Sequence, residues 1–170
     1  MNSKKIRQLA SRLPASVLRL LLNRYRPLRG ASIKVKSIAP DFRHIRVEMP
    51  LKWHNQNYFG TQYGGSLFSM ADAFYPLMLS NNLGSHYIIW DIESTIQFLK
   101  PGRKTVYCEF KLEEKDLEMI KEQTHAFGKF HWHKIVNIYD TDRLLIATIH
   151  KTIYIRDRRI TIDKNRPLSH

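Results

Sequence analysis

Cysteine is almost absent: Cys108 is the only one in 170 residues. One thiol cannot close an internal disulfide, and it argues against a Cys-based zinc site. A reducing cytoplasm is the natural compartment for such a chain. Long apolar runs are missing as well. None reaches the roughly 18 residues that a membrane-crossing helix needs. Between residues 31 and 156 there is no internal repeat, low-complexity tract or clear linker. The most pointed absence is local. Residues 1–40 contain no acidic side chain at all, against ten basic ones.

What is present fits one globular domain: 170 residues, 43% of them hydrophobic, enough to bury a real core. The net charge is +13, and its location matters more than its size. Residues 41–150 carry 12 basic and 13 acidic residues, so the body of the chain is near neutral. Both ends are cationic, with six basic residues against Asp157 and Asp163 in 151–170. Cationic ends suit phosphate groups, an anionic lipid surface or nucleic acid, or simply keep the chain soluble. Nucleic acid is the weakest of these, because no aromatic residues interleave with the basic ones as a stacking surface requires.

Residues 1–29 read as a basic amphipathic N-terminal helix. Val17, Leu18, Leu21, Leu22 and Tyr25 share one face, with Arg19, Asn23 and Arg24 opposite. Pro14 stands near the start and Pro27 and Gly30 end the pattern. Such a helix can lie on an anionic membrane or cover the protein's own sheet. Its acid-free, Arg-rich composition also resembles a mitochondrial transit peptide. From Ala31 to Met49 the period changes to two, with a turn at Pro40-Asp41 and alternation at Ile45, Val47 and Met49. Gly64-Gly65 then opens a helix predicted to run to about Ser80, apolar almost all round and so buried. Small residues Ser66, Ser69, Ala73 and Ser80 let its backbone approach a sheet. Four strands follow: His86 to Leu99, Thr105 to Leu112, His125 to Tyr139 and Leu144 to Arg156. The acidic stretch Glu113 to Glu122 reads as a turn or short helix. Strands in series make an antiparallel sheet, and one apolar helix must be covered by all of it. The expected class is α+β.

Two features in Asn57 to Asp72, NYFGTQYGGSLFSMAD, point to chemistry. Gly64-Gly65 precedes a helix, where free N–H groups bind anions and developing oxyanions. A tight turn requiring positive φ is the alternative. Asp72 lies two turns into the apolar helix, where an unpartnered carboxylate is costly. That is the setting of a general base or nucleophile, or of a structural acid tied to Ser69 or to a loop backbone. Eight residues separate Gly64 from Asp72, roughly 12 Å along a helix. Oxyanion donors must come within about 3 Å of the reacting oxygen. One chain can hardly supply both groups to one carbonyl, so the spacing predicts a homodimer, or a dimer of dimers, with the site between subunits. Asp91 could support Asp72 or line a pocket; Glu93 reads as a solvated strand residue. His131 and His133 share a strand face, with no third metal ligand at a recognisable spacing. No metal or redox cofactor is suggested.

These residues resemble the hot-dog superfamily, in particular its phenylacetyl-CoA-type acyl-CoA thioesterases. That family has an Asn, a Gly, a His-Gly-Gly opening a central helix, and an Asp within it. Here the equivalents are Asn57, Gly60, Tyr63-Gly64-Gly65 and Asp72. The likeness continues through TIQFLKPGRKTVYCEF, residues 95–110, and YIIWDIESTIQFLKPG is similar to a subgroup known only as a domain of unknown function. It covers about residues 30–156, between the N-terminal helix and a basic tail at 157–170. The resemblance implies a hot-dog fold, a sheet wrapped around one long central helix. It implies hydrolysis of acyl-CoA or acyl-carrier-protein thioesters without a cofactor. The Gly64 and Gly65 amides would polarise the thioester carbonyl, and Asp72 of a second subunit would activate water or attack directly. Asn57 would orient water or carbonyl, and Phe68, Tyr75 and Met78 would line an acyl tunnel. Tyr63 departs from the family's His; a phenol donates a hydrogen bond but does not reproduce imidazole chemistry. The alternative is a non-catalytic acyl or lipid binder at a membrane surface. The expected location is the cytoplasm, with peripheral membrane contact as an option.

Overall fold

The computed structural model describes residues 13–160. The first 12 residues of the expected N-terminal helix and residues 161–170 of the expected tail lie outside the described residues. Helix α1 spans Ala15–Arg24 and a short α2 spans Arg26–Gly30, the two divided at Tyr25 with Pro27 in the first turn of α2. Strands β1 (Lys34–Ile38) and β2 (His44–Met49) follow. Then come α3 (Gly64–Asp72), α4 (Phe74–Leu83), β3 (Tyr87–Phe98), β4 (Val106–Lys111), α5 (Glu114–Phe127), β5 (Lys129–Asp140) and β6 (Leu145–Asp157). The six strands form one antiparallel sheet in the order β1-β2-β4-β5-β6-β3. This is the hot-dog fold in its mixed helix-and-sheet class, with an N-terminal helix.

Period-two patterning sets the inner face. Ile45, Val47 and Met49 on β2 stand opposite Phe110, Cys108 and Val106 on β4, all fully buried. On β6, Ile149, Lys151, Ile153 and Ile155 alternate inward. Trp132 of β5 faces Ile153 and, with Phe110, packs against Tyr75 of α4 at 5.2 Å between ring centroids. Each large side chain buried this way contributes about 1.5–3 kcal/mol.

The structure departs from the expected elements in two places. The helix is broken at Ala73 into α3 and α4, and the cause is Pro76. Proline has no N–H for the carbonyl four residues back, and its ring crowds that carbonyl. The carbonyl in question belongs to Asp72. The acidic stretch is also more than a turn: α5 has 14 residues, starts on a reciprocal capping box between Glu113 and Asp116, and ends at Gly128 with φ 75°. Hence β5 begins at Lys129 and not at His125. Asp116, Leu117, Ile120 and Thr124 turn α5 onto the core.

The two sheet edges are treated differently. At β1, the Asn23 side chain of α1 donates to the Val35 carbonyl (3.0 Å) and accepts from the Val35 N–H (2.8 Å). Leu18 and Leu22 of α1 pack beneath. The helix thus covers its own sheet edge, yet leaves Val17, Leu20, Leu21 and Tyr25 exposed. At the other edge, β3 is 12 residues long, and Trp90, Ile92 and Phe98 are exposed on it. Among the described residues no helix is long and apolar enough to cross a membrane.

Candidate active site

The start of α3 is built for close approach. Tyr63 is its N-cap and offers no side-chain hydrogen bond to the helix. The Tyr63 carbonyl accepts from the amides of Ser66 (3.0 Å) and Leu67 (3.1 Å). The amides of Gly64 and Gly65 have no hydrogen-bond partner among the described residues. Neither glycine has positive φ, so the tight-turn explanation for the pair does not apply. Space is the reason instead. A Cβ on Gly64 would sit 3.0 Å from Phe98 Cζ, and one on Gly65 would sit 2.6 Å from Tyr63 Cε1. Two aromatic rings therefore lie against two bare amides.

Gly64 borders a cavity of about 360 Å³, and Gly65 follows it in the first turn of the helix. Gly64, Asn57, Gln62, Leu67, Phe98 and Lys100 line part of the cavity. The expected Asn57 is thus at the site, but its side chain is largely occupied. Asn57 Oδ1 accepts from the N–H groups of Phe59 (3.0 Å) and Thr61 (3.1 Å), and Nδ2 donates to Thr61 Oγ1 (2.9 Å). One amide hydrogen remains for a ligand. Gln62 was not anticipated. Its Nε2 donates to the carbonyls of Met49 (3.0 Å) and Lys104 (3.1 Å), while its buried Oε1 has no partner. Gln62 and the unpaired Gly64 amide thus line the same cavity.

Asp72 differs from the expectation of a buried carboxylate. It closes α3, and its side chain is 55% exposed in the single chain. Nor does Ser69 hold it; Ser69 Oγ donates to the Gly65 carbonyl at 2.8 Å. The partner is Lys151, which belongs to no motif of the sequence. Lys151 Nζ lies 3.5 Å from Asp72 Oδ1, 3.1 Å from the Asp72 carbonyl oxygen and 3.0 Å from Asp91 Oδ2. So Asp72 and Asp91 do meet, through a lysine. Burial pushes the Asp91 carboxyl above its ordinary value; Lys151 opposes this, and the Asp72 charge adds to it.

Other expected residues are placed apart from the cavity. Tyr75 and Met78 belong to the closed core and do not line it. Burial pushes the Tyr75 hydroxyl up to about 12. Phe68 is half-buried on α3. Tyr63 is 56% exposed and reaches the site through its ring. His133 Nδ1 pairs with Thr152 Oγ1 at 3.2 Å, and no three metal-ligating side chains converge among the described residues.

Solved structures share this architecture. A Pseudomonas aeruginosa protein of unknown function, termed a probable thioesterase, superposes with TM-score 0.76 at 19% identity, covering 85% of this chain and 96% of the other. A Haemophilus influenzae thioesterase matches with TM-score 0.61 at 14% identity, over 91% and 96%. A mutant thioesterase of Pseudomonas aeruginosa matches with TM-score 0.62 at 12% identity, over 85% and 95%. At such identities the likeness is one of fold. No curated protein matches. The family described as a domain of unknown function, DUF4442, matches residues 15–155, and the chain belongs to it.

Proposed function

We propose that this protein hydrolyses the thioester of an acyl-CoA or acyl-carrier-protein substrate, as a homodimer. The observation that carries the reading is the free Gly64 amide at a cavity, followed by the free Gly65 amide, on the same helix that ends in Asp72. Thioesterases among the fold neighbours support it, as does the motif likeness to phenylacetyl-CoA-type enzymes at Asn57, Gly60, Tyr63-Gly64-Gly65 and Asp72. The amides polarise the thioester carbonyl, adding their force where negative charge develops. Asp72 of the second subunit takes a proton from water as the water oxygen bonds to the carbonyl carbon. The tetrahedral intermediate collapses, the C–S bond breaks, and the thiolate leaves. Asn57 offers one N–H and Tyr63 a phenolic O–H to substrate or water. Lys100 at the cavity suits a phosphate of coenzyme A.

The dimer rests on β3. A long apolar edge strand with unpaired backbone groups is a template for pairing, and this one carries Trp90, Ile92 and Phe98 in the open. A thiol-release assay over acyl-CoAs of graded chain length, and over acyl-carrier protein, tests the activity. Asp72→Asn should abolish turnover while the dimer persists in size-exclusion chromatography with light scattering. Undiminished turnover in Asp72→Asn rules out the assigned base.

One observation favours a second reading, a lipid or acyl binder at an anionic membrane. Exposed Val17, Leu20 and Leu21 form a ridge on α1, and Arg19, Arg24, Arg26 and Arg29 make no ion pair among the described residues. An apolar ridge with arginines around it matches an interfacial helix. Vesicle binding that needs phosphatidylserine and is lost in Leu20→Glu, with no thiol release, would select this reading.

A further inference from the structure

Lys151 is a stability puzzle. It stands between Ile149 and Ile153 on the inner face of β6, and its side chain is 1% exposed. Stripping water from an ammonium costs several kcal/mol, and a buried ion pair replaced by well-packed apolar groups often leaves a protein as stable or more so. Methionine here, with an uncharged side chain at 91, would serve folding as well. The lysine therefore does something that packing does not require.

Its three contacts say what. An ammonium has three donors, and Nζ lies near Asp91 Oδ2, the Asp72 carbonyl oxygen and Asp72 Oδ1. The carbonyl is the one that Pro76 leaves without a helical donor. Lys151 thus holds both the backbone and one carboxylate oxygen of the last residue of α3, while Asp72 Oδ2 makes no hydrogen bond or ion pair among the described residues. Strand β3 is shaped to match. Asp91 pairs with Ile153 and Glu93 with Thr152, so Ile92 is an extra residue and the bulge turns both Asp91 and Ser94 toward Lys151. Ser94 stands directly opposite Lys151 in the ladder. The cross-strand neighbour on the other side, Lys134, points away to Asp116 of α5 at 2.9 Å. Asp91 Oδ1 and Ser94 Oγ are buried and unpartnered, so the cluster is not closed on itself.

We propose that Lys151 is a positioning residue, with Asp91 as its counter-ion, that locks the end of α3 so that Asp72 presents Oδ2 for proton transfer. This rests on the reading of Asp72 as the base. It explains why the helix is interrupted after Asp72: the break frees the carbonyl that the lysine grips. It also explains why an inward lysine persists among isoleucines.

The test compares Lys151→Met, Asp91→Asn, their double variant and Asp72→Asn, with kcat and KM for one acyl-CoA, thermal melting and oligomeric state on each. Lys151→Met should melt lower because Asp91 is left unpaired, with the double variant regaining the melting temperature. In the folded fraction of Lys151→Met, KM should stay within about threefold while kcat falls roughly 10²-fold, the cost of a misplacement near 1 Å. Asp91→Asn should lower kcat in the same sense. The double variant should be no worse than Lys151→Met alone, since the two side chains act as one unit. A purely structural lysine would instead leave kcat in the folded fraction unchanged. That result overturns the inference, and unchanged kcat in folded Asp91→Asn overturns it as well if Lys151→Met fails to fold. An active Asp72→Asn enzyme is a different failure, that of the base assignment.

Discussion

Alanine at position 65 should separate what the start of α3 does for folding from what it does for chemistry. Gly65 is outside the left-handed region, so alanine meets no backbone penalty. In a helix interior, alanine is favoured over glycine by about 1 kcal/mol, and by less in a first turn. Against this, the new Cβ would lie 2.6 Å from Tyr63 Cε1, when carbon atoms prefer about 3.5–4.0 Å. The ring must move by roughly 1 Å. Tyr63 is 56% exposed, and an off-rotamer swing of its ring costs about 0.5–1.5 kcal/mol. The two effects nearly cancel, so the melting temperature should stay within about 4 °C of wild type. Turnover should not be spared. The methyl group and the displaced ring crowd two unpaired amides, and loss of one oxyanion donor costs about 10²–10³ in kcat. Gly64→Ala is the companion, its Cβ 3.0 Å from Phe98 Cζ. Thermal melting and the thiol-release rate are measured on the same preparations. Wild-type kcat in a Gly65→Ala protein of normal stability would refute the oxyanion argument. A large fall in melting temperature would show that the ring contact is structural and that the separation does not hold.

Pro76→Ala returns an N–H to the Asp72 carbonyl, so α3 and α4 should join, the urea midpoint should rise slightly, and kcat should fall because Lys151 loses an acceptor; a lower midpoint contradicts this account of the break. Asp157, buried at the end of β6, is held below the ordinary carboxyl range chiefly by the Arg159 side-chain hydrogen bond. The folded state favours the ionised form, so this stabilisation is present above the unfolded value near 3.9 and is lost as pH falls through the folded value. Asp157→Asn should melt about 2–4 °C lower at pH 7, with the gap closing toward pH 2; a gap that is constant with pH would refute the electrostatic origin.

How much of this could be read beforehand depends on how much each element relies on its own pattern. β2 was legible because Ile45, Val47 and Met49 alternate without interruption and Pro50 ends the run. The full length of α5 was not, because its buried contacts are only Asp116, Leu117, Ile120 and Thr124, too sparse among charges to give a helical stripe. Its start was nonetheless written in Glu113 and Asp116, whose reciprocal cap carries an acid where glutamate or glutamine is the usual residue. The helix break after Asp72 could have been placed from Pro76 alone by counting four residues back. The apolar residues on both sides outweighed it, because hydrophobic patterning does not register a missing hydrogen-bond donor.

The site was legible where it depends on backbone and obscure where it depends on charge pairing across the sheet. Gly64 and Gly65 announce bare amides because helix starts always leave some unpaired, though not that Tyr63 and Phe98 are what forbid side chains there. Asp72 was singled out for the wrong surroundings. It is a half-exposed acid at a helix end, not an isolated one in mid-helix, and its partner lies 79 positions along the chain. By composition Lys151 belongs to the cationic C-terminal end. Strand parity argues otherwise, since 149, 151, 153 and 155 share one face and three of the four are isoleucine. A lysine in that series must find an acid or leave the strand, and the acids on the neighbouring edge strand, Asp91 and Glu93, can be told apart only by the bulge at Ile92. Sequence alone does not show a bulge, so the ion pair that aims Asp72 had to come from the ladder itself.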